Sequence, residues 1–381
     1  MKIEVAKSDL ENALKVVNIG SSGSGGDLTT HILFRHADSQ TELLAYNGRL
    51  GTSSPLVCQT TLEDEGVSAF TVESDRLTRW LTAAGDVAVT LEAKDAIVTA
   101  TGSLGSVKFR SLDPSGFPFW DKQISGAKRT IEIEANRLHQ ALGHSKSFIS
   151  SADTTRPELA VTEIRGGTLW ATDQAALSMV TLEEFSDAAL RLSGKDIGPI
   201  LTFLSLSGED KVEVLEHKRS MFIRREDGSV LNAGRPSTPF LELEDIDNDE
   251  NAHWWVIGCS DLDRAIKQLS ASAAKEELGL TFNFDPSDQK ITLSMTGDSG
   301  STNTLKLPCP EFGSKADVEV GMPQSGWKVE YTYISRLLAS YRGGKTIKIG
   351  LNPAGEDGGW AKIEEDRDGD KYLTILVWMP E

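Results

Sequence analysis

The sequence predicts an α+β protein made of three tandem copies of one module, each with two helices packed on one face of a sheet. One short amphipathic segment occurs three times, and its leucines Leu10, Leu138 and Leu262 are 128 and 124 positions apart. A repeat of that length is the size of a domain rather than of a solenoid unit. After each copy, strand-like runs and one further helical segment follow in the same order. We therefore expect modules at residues 1–124, 125–250 and 251–381.

The repeated segment is predicted to be a helix with one apolar face. In each copy a small or polar residue precedes the leucine as an N-cap, and Ala and then Leu or Ile follow three and four positions after it. This spacing places the apolar side chains on one helical stripe. The predicted helices are residues 8–17, 74–84, 136–148, 197–206, 261–271 and 334–342.

The first module opens with a strand at residues 3–5, where apolar and charged residues alternate. The glycine-rich run 20–27 lacks the Lys-Ser/Thr end of a phosphate-binding loop and follows a helix, so we interpret it as a flexible loop. Gly85 is predicted to be the C-cap of the second helix. Further strands are expected at 32–34, 42–46, 56–61, 69–72, 87–91, 96–101 and 107–111.

The second and third modules repeat this order of elements. Pro199 lies early in a predicted helix, where a missing amide costs little, and the acidic run 242–250 is interpreted as a solvated connector. Strands are expected at 129–133, 159–164, 168–172, 178–185, 211–215 and 220–224 in the second module. In the third module they are expected at 253–257, 280–284, 291–295, 304–307, 346–351, 359–364 and 372–377.

The overall charge of the chain is strongly acidic. With 39 basic and 57 acidic residues the net charge is −18, so the average surface repels phosphate and a nucleic-acid partner would have to meet a local positive patch. Cys58, Cys259 and Cys309 form no CxxC pair, which argues against a disulfide framework and a thiolate metal site and fits a cytoplasmic protein. We expect neither a signal peptide nor a membrane span.

Catalytic and metal-binding signatures are missing from the sequence. The six histidines show no HExxH spacing, and neither GxSxG nor a Walker A motif occurs. His31 and His36 are interpreted as structural or surface residues. The acidic runs 63–65 and 364–366 are predicted to lie in solvated turns. A hydrolase that holds a divalent metal in acidic loops stays open as an alternative, but we expect no enzyme activity, no cofactor and no metal.

Four stretches resemble one protein family. Residues 1–5 with the first helix resemble its opening strand and helix, and Phe117-Pro118 resembles the Phe-Pro that ends its first domain. Ala171-Thr172-Asp173 with Leu177 is similar to its Ala-Thr-Asp-Gly-His-Arg-Leu, and residues 377–380 are similar to its terminal Val-Val-Met-Pro. In this order and spacing the chain resembles the bacterial DNA polymerase III beta subunit, the DNA sliding clamp, over its whole length.

The resemblance implies a head-to-tail homodimer whose six modules form a ring around duplex DNA, with helices inward and sheet edges paired across each junction. Such a processivity factor tethers the replicative polymerase and is placed on DNA by a separate clamp-loader ATPase. Because each fixed phosphate contact resists sliding, the pore needs only sparse positive charge. The candidate DNA-facing residues are Lys15, Arg76, Arg79, Arg137, Lys146, Arg264, Lys267, Arg336 and Arg342. A clamp-fold scaffold that binds proteins without encircling DNA is the further alternative.

The resemblance also implies a pocket for partner peptides between the second module and the C-terminus, and a dimer junction. The pocket positions are Leu159, Thr172, Asp173, Leu177, Val377, Trp378, Met379 and Pro380. Gln174-Ala175-Ala176 replaces the family's Gly-His-Arg, so we expect altered peptide specificity. The dimer-interface candidates are Val107, Phe109, Leu269, Ala271 and Ser272. The small residues after Leu269 predict a weaker or differently packed junction.

Overall fold

The structure is a computed structural model of the 381-residue chain. It describes residues 1–22, 27–62, 68–85, 87–150, 155–241, 253–274, 276–285, 289–297, 300–314, 327–340, 346–353, 359–367 and 369–377. The helices in these residues are α1 Lys7–Val17, α2 Ser74–Ala83, α3 Asp121–Ser125, α4 Ala135–Lys146, α5 Gly194–Ser205, α6 Cys259–Ser272 and α7 Tyr331–Ser340.

Strands make up most of the regular structure. In the first half of the chain they are β1 Lys2–Ala6, β2 His31–Ala37, β3 Gln40–Tyr46, β4 Leu50–Leu56, β5 Gln59–Thr61, β6 Ala69–Glu73, β7 Ala88–Lys94, β8 Ile97–Gly102, β9 Gly105–Arg110, β10 Lys128–Glu134, β11 Val161–Arg165, β12 Thr168–Thr172, β13 Ala176–Thr181 and β14 Leu190–Ser193. In the second half they are β15 Lys211–His217, β16 Ser220–Arg225, β17 Val230–Gly234, β18 His253–Gly258, β19 Gly279–Asp285, β20 Lys290–Thr296, β21 Thr302–Pro308, β22 Glu311–Ser314, β23 Trp327–Glu330, β24 Thr346–Pro353, β25 Gly359–Arg367 and β26 Asp370–Val377.

The chain divides into two compact units. The first comprises Met1–His139 with Asp196–Pro236, and the second comprises Gln140–Lys195 with Ser237–Glu381. The first unit contains a five-stranded sheet, β5-β1-β7-β8-β9, and an eight-stranded sheet, β10-β15-β16-β17-β4-β3-β2-β6. The second unit contains a nine-stranded sheet, β14-β11-β12-β13-β26-β25-β24-β18-β22, and a four-stranded sheet, β21-β20-β19-β23. Because each long sheet joins strands of two expected modules, the units cross the expected module limits, and the three-module division stays a prediction.

The eight strands of the first long sheet correspond in order to eight of the nine strands of the second, in which β22 is additional. In the first unit β17 pairs antiparallel with β4, and in the second unit β26 pairs antiparallel with β13. We call these pairings the first joint and the second joint. Beyond β17 lie three strands, β16, β15 and β10, and beyond β26 lie their counterparts β25, β24 and β18, followed by β22. On the other side of each joint lie strands that follow an earlier first helix. The repeat that the sequence predicts is therefore present in the strand order as well as in the helices.

The apolar stripe of the repeated helix is confirmed. Leu10, Leu138 and Leu262 are all within 2% of complete burial. The Ala and the Leu or Ile three and four positions later are also buried in all three copies. The recurring spacing therefore identifies the side chains that each of the three helices buries in a hydrophobic core.

The predicted caps of these helices are wrong. The first and third copies begin at Lys7 and Cys259, and their N-caps Ala6 and Gly258 make no side-chain hydrogen bond. Each helix follows directly on a strand, so the chain has no separate capping turn. The residue after α2 is also not a glycine C-cap, because Ala84 ends the helix with an extended backbone, φ −70° and ψ 126°.

One further expectation differs from the structure, one short helix was not predicted, and three runs of distinctive composition lie partly or wholly outside the described residues. Residues 364–366 belong to strand β25 rather than to a turn, and Glu365 is buried because the strand alternation points it inward. Helix α3 has too few residues to give a helical pattern in the sequence. Of the glycine-rich run, residues 23–26 lie outside the described residues, as do the acidic runs 63–65 and 242–250.

Candidate partner-docking site and DNA-facing helices

The β12–β13 hairpin carries three of the predicted pocket residues, Thr172, Asp173 and Leu177. The Thr172 hydroxyl donates to the Ala176 carbonyl oxygen at 2.7 Å, and the Ala176 amide donates to Asp173 Oδ1 at 3.0 Å. Gln174, between them, has φ +85°, the left-handed region that favours glycine. The family that the sequence resembles has Gly at this position, a residue that adopts positive φ without steric cost.

The C-terminal strand lies directly beside this turn. Leu177 of β13 is opposite Ile375 of β26, and the two belong to one buried cluster with Met179 and Leu373. The half-buried Trp170 packs against that cluster from β12. The structure therefore places the β12–β13 turn beside the C-terminal strand, and these are the two regions that the family resemblance assigns to the pocket.

The remaining predicted pocket residues are placed only in part. Leu159 is buried in the short 3₁₀ helix Pro157–Ala160, immediately before β11 in the same sheet. Val377 is the last residue of β26, and its backbone is opposite Trp360 of β25. Trp378, Met379 and Pro380 lie outside the described residues.

Arg156 reaches this turn although nothing in the sequence pattern assigns it there. With the Gln174 amide in the orientation in which its oxygen faces the guanidinium, that oxygen accepts from Arg156 Nη1 and, at 3.0 Å, from Nε. Nε also donates to Glu158 at 2.9 Å. Arg156 is thus a basic group beside a turn from which the family's His and Arg are missing. Because Arg156 is distant from the turn in the sequence, no local pattern predicts that the two are in contact.

Tyr333 of α7 is a second residue at the turn that sequence reasoning missed. The Asp173 carboxylate acts on the ionisation of its phenol. Burial, and then the charge and hydrogen bond of Asp173, raise the pKa of Tyr333 to about 12, so the phenol remains a donor at neutral pH. The Arg336 guanidinium lies 5.4 Å from the centroid of the Tyr333 ring. Only the tertiary fold brings α7 to the β12–β13 hairpin.

Most of the predicted DNA-facing residues are exposed on helices. Arg137 is half-buried and Arg342 lies outside the described residues. The exposed members are Lys15, Arg76, Arg79, Lys146, Arg264, Lys267 and Arg336. The six described helices of ten or more residues carry ten basic and six acidic side chains, whereas the whole chain has 39 basic and 57 acidic residues. The helices are therefore the basic part of an acidic protein.

Several of these basic side chains pair with acidic neighbours along the chain. Arg264 lies 2.6 Å from Asp261, and Lys267 lies 2.6 Å from Asp263, both on α6. Exposed pairs of this kind contribute little free energy, so either cation can turn to another partner. Such a surface offers phosphate a mild attraction rather than a fixed contact.

The predicted dimer-interface residues fall into two groups. Phe109 and Leu269 are buried in their own units, 6% and 2% exposed, because their strand and helix point them inward. Val107 is 43% exposed on β9, the edge strand of the five-stranded sheet, and Ala271 and Ser272 are exposed at the end of α6. Only the second group offers surface to another molecule.

Among the described residues there is neither a cluster of metal ligands nor a membrane-spanning helix. Within the part of the chain that the structure describes, no three His, Cys, Asp or Glu side chains lie together as metal ligands. Among the same residues, no helix has the length and apolar composition needed to cross a membrane. His31 is buried and its Nδ1 lies 3.2 Å from the Thr71 hydroxyl, and His36 Nδ1 lies 2.8 Å from the Thr41 hydroxyl.

Solved structures share this fold over its full length. The DNA polymerase III beta subunit from Pseudomonas aeruginosa matches with a TM-score of 0.82 at 14% identity, covering 100% of both chains. The beta subunit from Thermotoga maritima matches with a TM-score of 0.79 at 13% identity, covering 100% of this chain and 99% of the other. The polymerase III beta from Caulobacter crescentus matches with a TM-score of 0.80 at 15% identity, covering 100% of both. No protein-family model and no curated protein matches the sequence.

The fold and the joints define the class of structure. The chain is a mixed α+β protein with the sliding-clamp fold, and the resemblance seen in the sequence is confirmed at the level of fold. More particularly, it has the fold of the DNA polymerase III beta subunits, and its sequence is 13–15% identical to those of the structures named here.

Proposed function

We propose that this protein is a DNA sliding clamp, a non-catalytic cytoplasmic processivity factor that encircles duplex DNA and tethers the replicative polymerase. The match of the whole chain to beta-subunit structures carries this proposal. The charge distribution supports it, because the helices are basic while the chain as a whole has a net charge of −18. A protein that slides needs a weak attraction to phosphate on one surface and none elsewhere.

Closure of a ring requires a third joint, between two copies of the chain. The free edge strand β9 holds the place in its sheet that β17 and β26 hold at the two observed joints. The free edge strand β21 likewise holds the place of β4 and β13. At the observed joints, Leu231 is opposite Thr52 and Thr374 is opposite Ser178. A head-to-tail dimer that repeats this pairing would leave neither edge unpaired.

We also propose a strand register for that third joint, based on the two observed joints. Corresponding strands can be aligned by the residues that pair with their neighbouring strands. In this alignment Val107 is equivalent to Leu231 and Thr374. Asn303 occupies the position of Thr52 and Ser178. Val107 would therefore lie opposite Asn303 of a second copy.

Cysteines at both positions should cross-link the dimer, whereas a single Val107→Cys change should not. Sedimentation as monomer alone at micromolar concentration would contradict the closed ring.

Retention on circular DNA tests encirclement directly. The protein, loaded onto a nicked plasmid by the host's clamp loader with ATP, should co-elute with the DNA and be lost after the plasmid is cut once. Blocking the cut ends with bound streptavidin should restore retention, because only a topological link depends on free ends. A clamp-fold scaffold would not be retained on the circle, and a protein that grips phosphate would remain on the linear DNA.

We further propose that partner proteins dock an extended peptide beside the 173–176 turn and the C-terminal strand. The polymerase and the clamp-loader ATPase are the expected partners. The apolar cluster of Leu177, Met179, Leu373 and Ile375 supports this site, as does its position beside the end of β26. Arg156, which pairs with Glu158, adds a polar group at the rim beside Gln174.

A further inference from the structure

We infer that Arg165 and Arg191 form a second subsite that binds a carboxylate of the partner peptide, an inference that rests on the proposed docking site. Neither arginine belongs to the pocket that the sequence predicts. They lie on β11 and β14, at the end of the nine-stranded sheet nearest the β12–β13 hairpin. We use the name docking face for the face of this sheet that carries the apolar cluster of Leu177, Met179, Leu373 and Ile375.

Cross-strand pairing places the arginines on the docking face, in one row with the apolar cluster. Met179 of β13 is directly opposite Trp170 of β12. Trp170 is in turn opposite Glu163 of β11, which is opposite Arg191 of β14. Directly opposite residues of antiparallel strands project from the same face of a sheet. Arg165, two residues after Glu163, projects from this face as well. The apolar cluster is therefore followed, strand by strand, by an indole, a carboxylate and a guanidinium.

The two arginines share one carboxylate. Arg191 Nε donates to Glu163 Oε1 at 2.6 Å, and Arg165 Nη1 lies 3.6 Å from Glu163 Oε2. In the described part of the chain, Glu163 is the one carboxylate that forms an ion pair with either guanidinium. The Glu163 side chain is 9% exposed, whereas those of Arg165 and Arg191 are 45% and 37% exposed. One buried negative charge beneath two positive charges leaves positive charge at the surface, and guanidinium groups bind carboxylates with good geometry.

The Trp170 ring connects the apolar cluster to the arginines. It packs against the cluster, is half-buried, and its Nε1 donates to the Arg165 carbonyl oxygen at 3.3 Å. A peptide that crosses the strands from the cluster would pass over this ring. Neighbouring strands lie about 4.8 Å apart, and an extended chain advances about 3.3 Å per residue. Because Arg165 and Arg191 are two and three strands from β13, a carboxylate about three or four residues from the apolar anchor of the peptide would reach them.

The first unit contains an example of this recognition within the chain itself. Arg35 is equivalent to Arg165 when the strands are aligned through the joints. Its Nη1 and Nη2 donate to the two carboxylate oxygens of Asp121 at 2.9 and 3.0 Å, and it also pairs with Glu42. Asp121 directly follows Trp120, whose ring lies beside the first turn. The segment that covers the first joint thus presents an apolar ring and a carboxylate, and we expect a partner peptide to present the same two groups at the second joint.

The experiment measures the affinity of the full-length chain for one labelled peptide and its substituted forms, by fluorescence anisotropy. The peptide is the tightest binder among those that tile the host's replicative polymerase, and its anchor is the apolar residue whose change to alanine weakens binding most. Each nearby residue on both sides of the anchor is changed in turn to Glu and to Gln. We expect one position, about three or four residues from the anchor, at which the Glu form binds about two- to fivefold more tightly than the Gln form.

Variants of the chain connect this preference to the two arginines. Arg165→Gln and Arg191→Gln should each abolish most of the preference, because Glu163 then neutralises the arginine that remains. Arg165→Lys keeps the charge and should retain part of the preference. Arg224→Gln is the matched control, because Arg224 also shares one carboxylate, that of Glu213, with a second arginine but lies in the first unit. It should leave the preference unchanged.

The outcomes distinguish the subsite from the docking site. Equal binding of the Glu and Gln forms at every position would overturn the inference, as would an unchanged preference in both Arg165→Gln and Arg191→Gln. The same loss of preference in Arg224→Gln would also overturn it, because the effect would then not belong to the docking face. Absence of peptide binding by the unchanged protein, or undiminished binding by Met379→Asp, would instead refute the docking site itself.

Discussion

The two hairpin turns at the joints have the same backbone but different surroundings. Gly48 has φ +91° in the first turn and Gln174 has φ +85° in the second. In the first turn the Asn47 side chain accepts the Leu50 amide at 2.9 Å, as Asp173 accepts the Ala176 amide at 3.0 Å in the second. The turn geometry therefore follows from an Asx residue before a left-handed position. It does not by itself make a docking site.

The residue after each turn shows how the two joints differ. Leu177 at the second joint belongs to an aliphatic cluster, whereas the equivalent residue at the first joint is Gly51. A side chain on Gly51 would meet the Trp120 ring at 2.7 Å, and Trp120 is buried with Phe117 against the same sheet. At the first joint, the segment that carries Phe117 and Trp120 therefore fills a volume beside the turn. At the second joint, we propose that a partner peptide fills the equivalent volume.

The largest expected effect comes from removing this internal cover. Trp120→Ala should lower the free energy of unfolding of the first unit by about 3–5 kcal/mol, because it empties a buried ring site. Trp170→Ala, at the half-buried tryptophan of the second joint, should cost less stability and weaken peptide binding instead. Urea unfolding and the peptide titration measure the two effects. Equal loss of stability from both changes would mean that the joints do not differ in this way.

A smaller effect is expected from exchanging the residues at the left-handed positions. Gln174→Gly should raise the free energy of unfolding by about 0.5–1 kcal/mol, since glycine adopts positive φ without steric cost. Gly48→Gln should lower it by a similar amount. Urea unfolding of the two variants measures both changes in the free energy of unfolding. If Gln174→Gly destabilises the protein, the contact of Gln174 with Arg156 outweighs the backbone strain.

The smallest expected effect is a pH dependence of stability caused by a histidine in the long sheet of the first joint. Burial lowers the pKa of His31 below its usual value of 6.5, against the opposing charges of Glu73 and Asp27. The unfolded chain then binds the proton more readily, so stability present above pH 6.5 is lost as the pH falls below it. The equivalent residue in the second long sheet is Val161, which cannot titrate. His31→Val should flatten the dependence of the urea midpoint between pH 7 and 5, and an unchanged slope would exclude His31 as its source.

The pattern in the sequence was most informative where a side chain contacts its own helix or strand neighbours. The repeated Leu, Ala and Leu or Ile positions are buried in all three copies, as their helical spacing predicts. The link between Thr172-Asp173, Leu177 and the C-terminal strand was predicted only through the family resemblance, and the pairing of β13 with β26 agrees with it. Phe109 and Leu269 show the limit of the method, because an apolar residue suits an interface and a core equally well.

By itself the sequence determined the repeated amphipathic helices, the alternation of strands and the acidic surface. These depend on periodicity and composition, which act over a few neighbouring residues or over the whole chain. The tertiary structure decided that Trp120 fills one joint, and that Tyr333 and Arg156 reach the turn of the other. Such contacts join residues far apart in the chain, and no local pattern records them, because they depend on how the backbone brings a helix, a connector and a hairpin together.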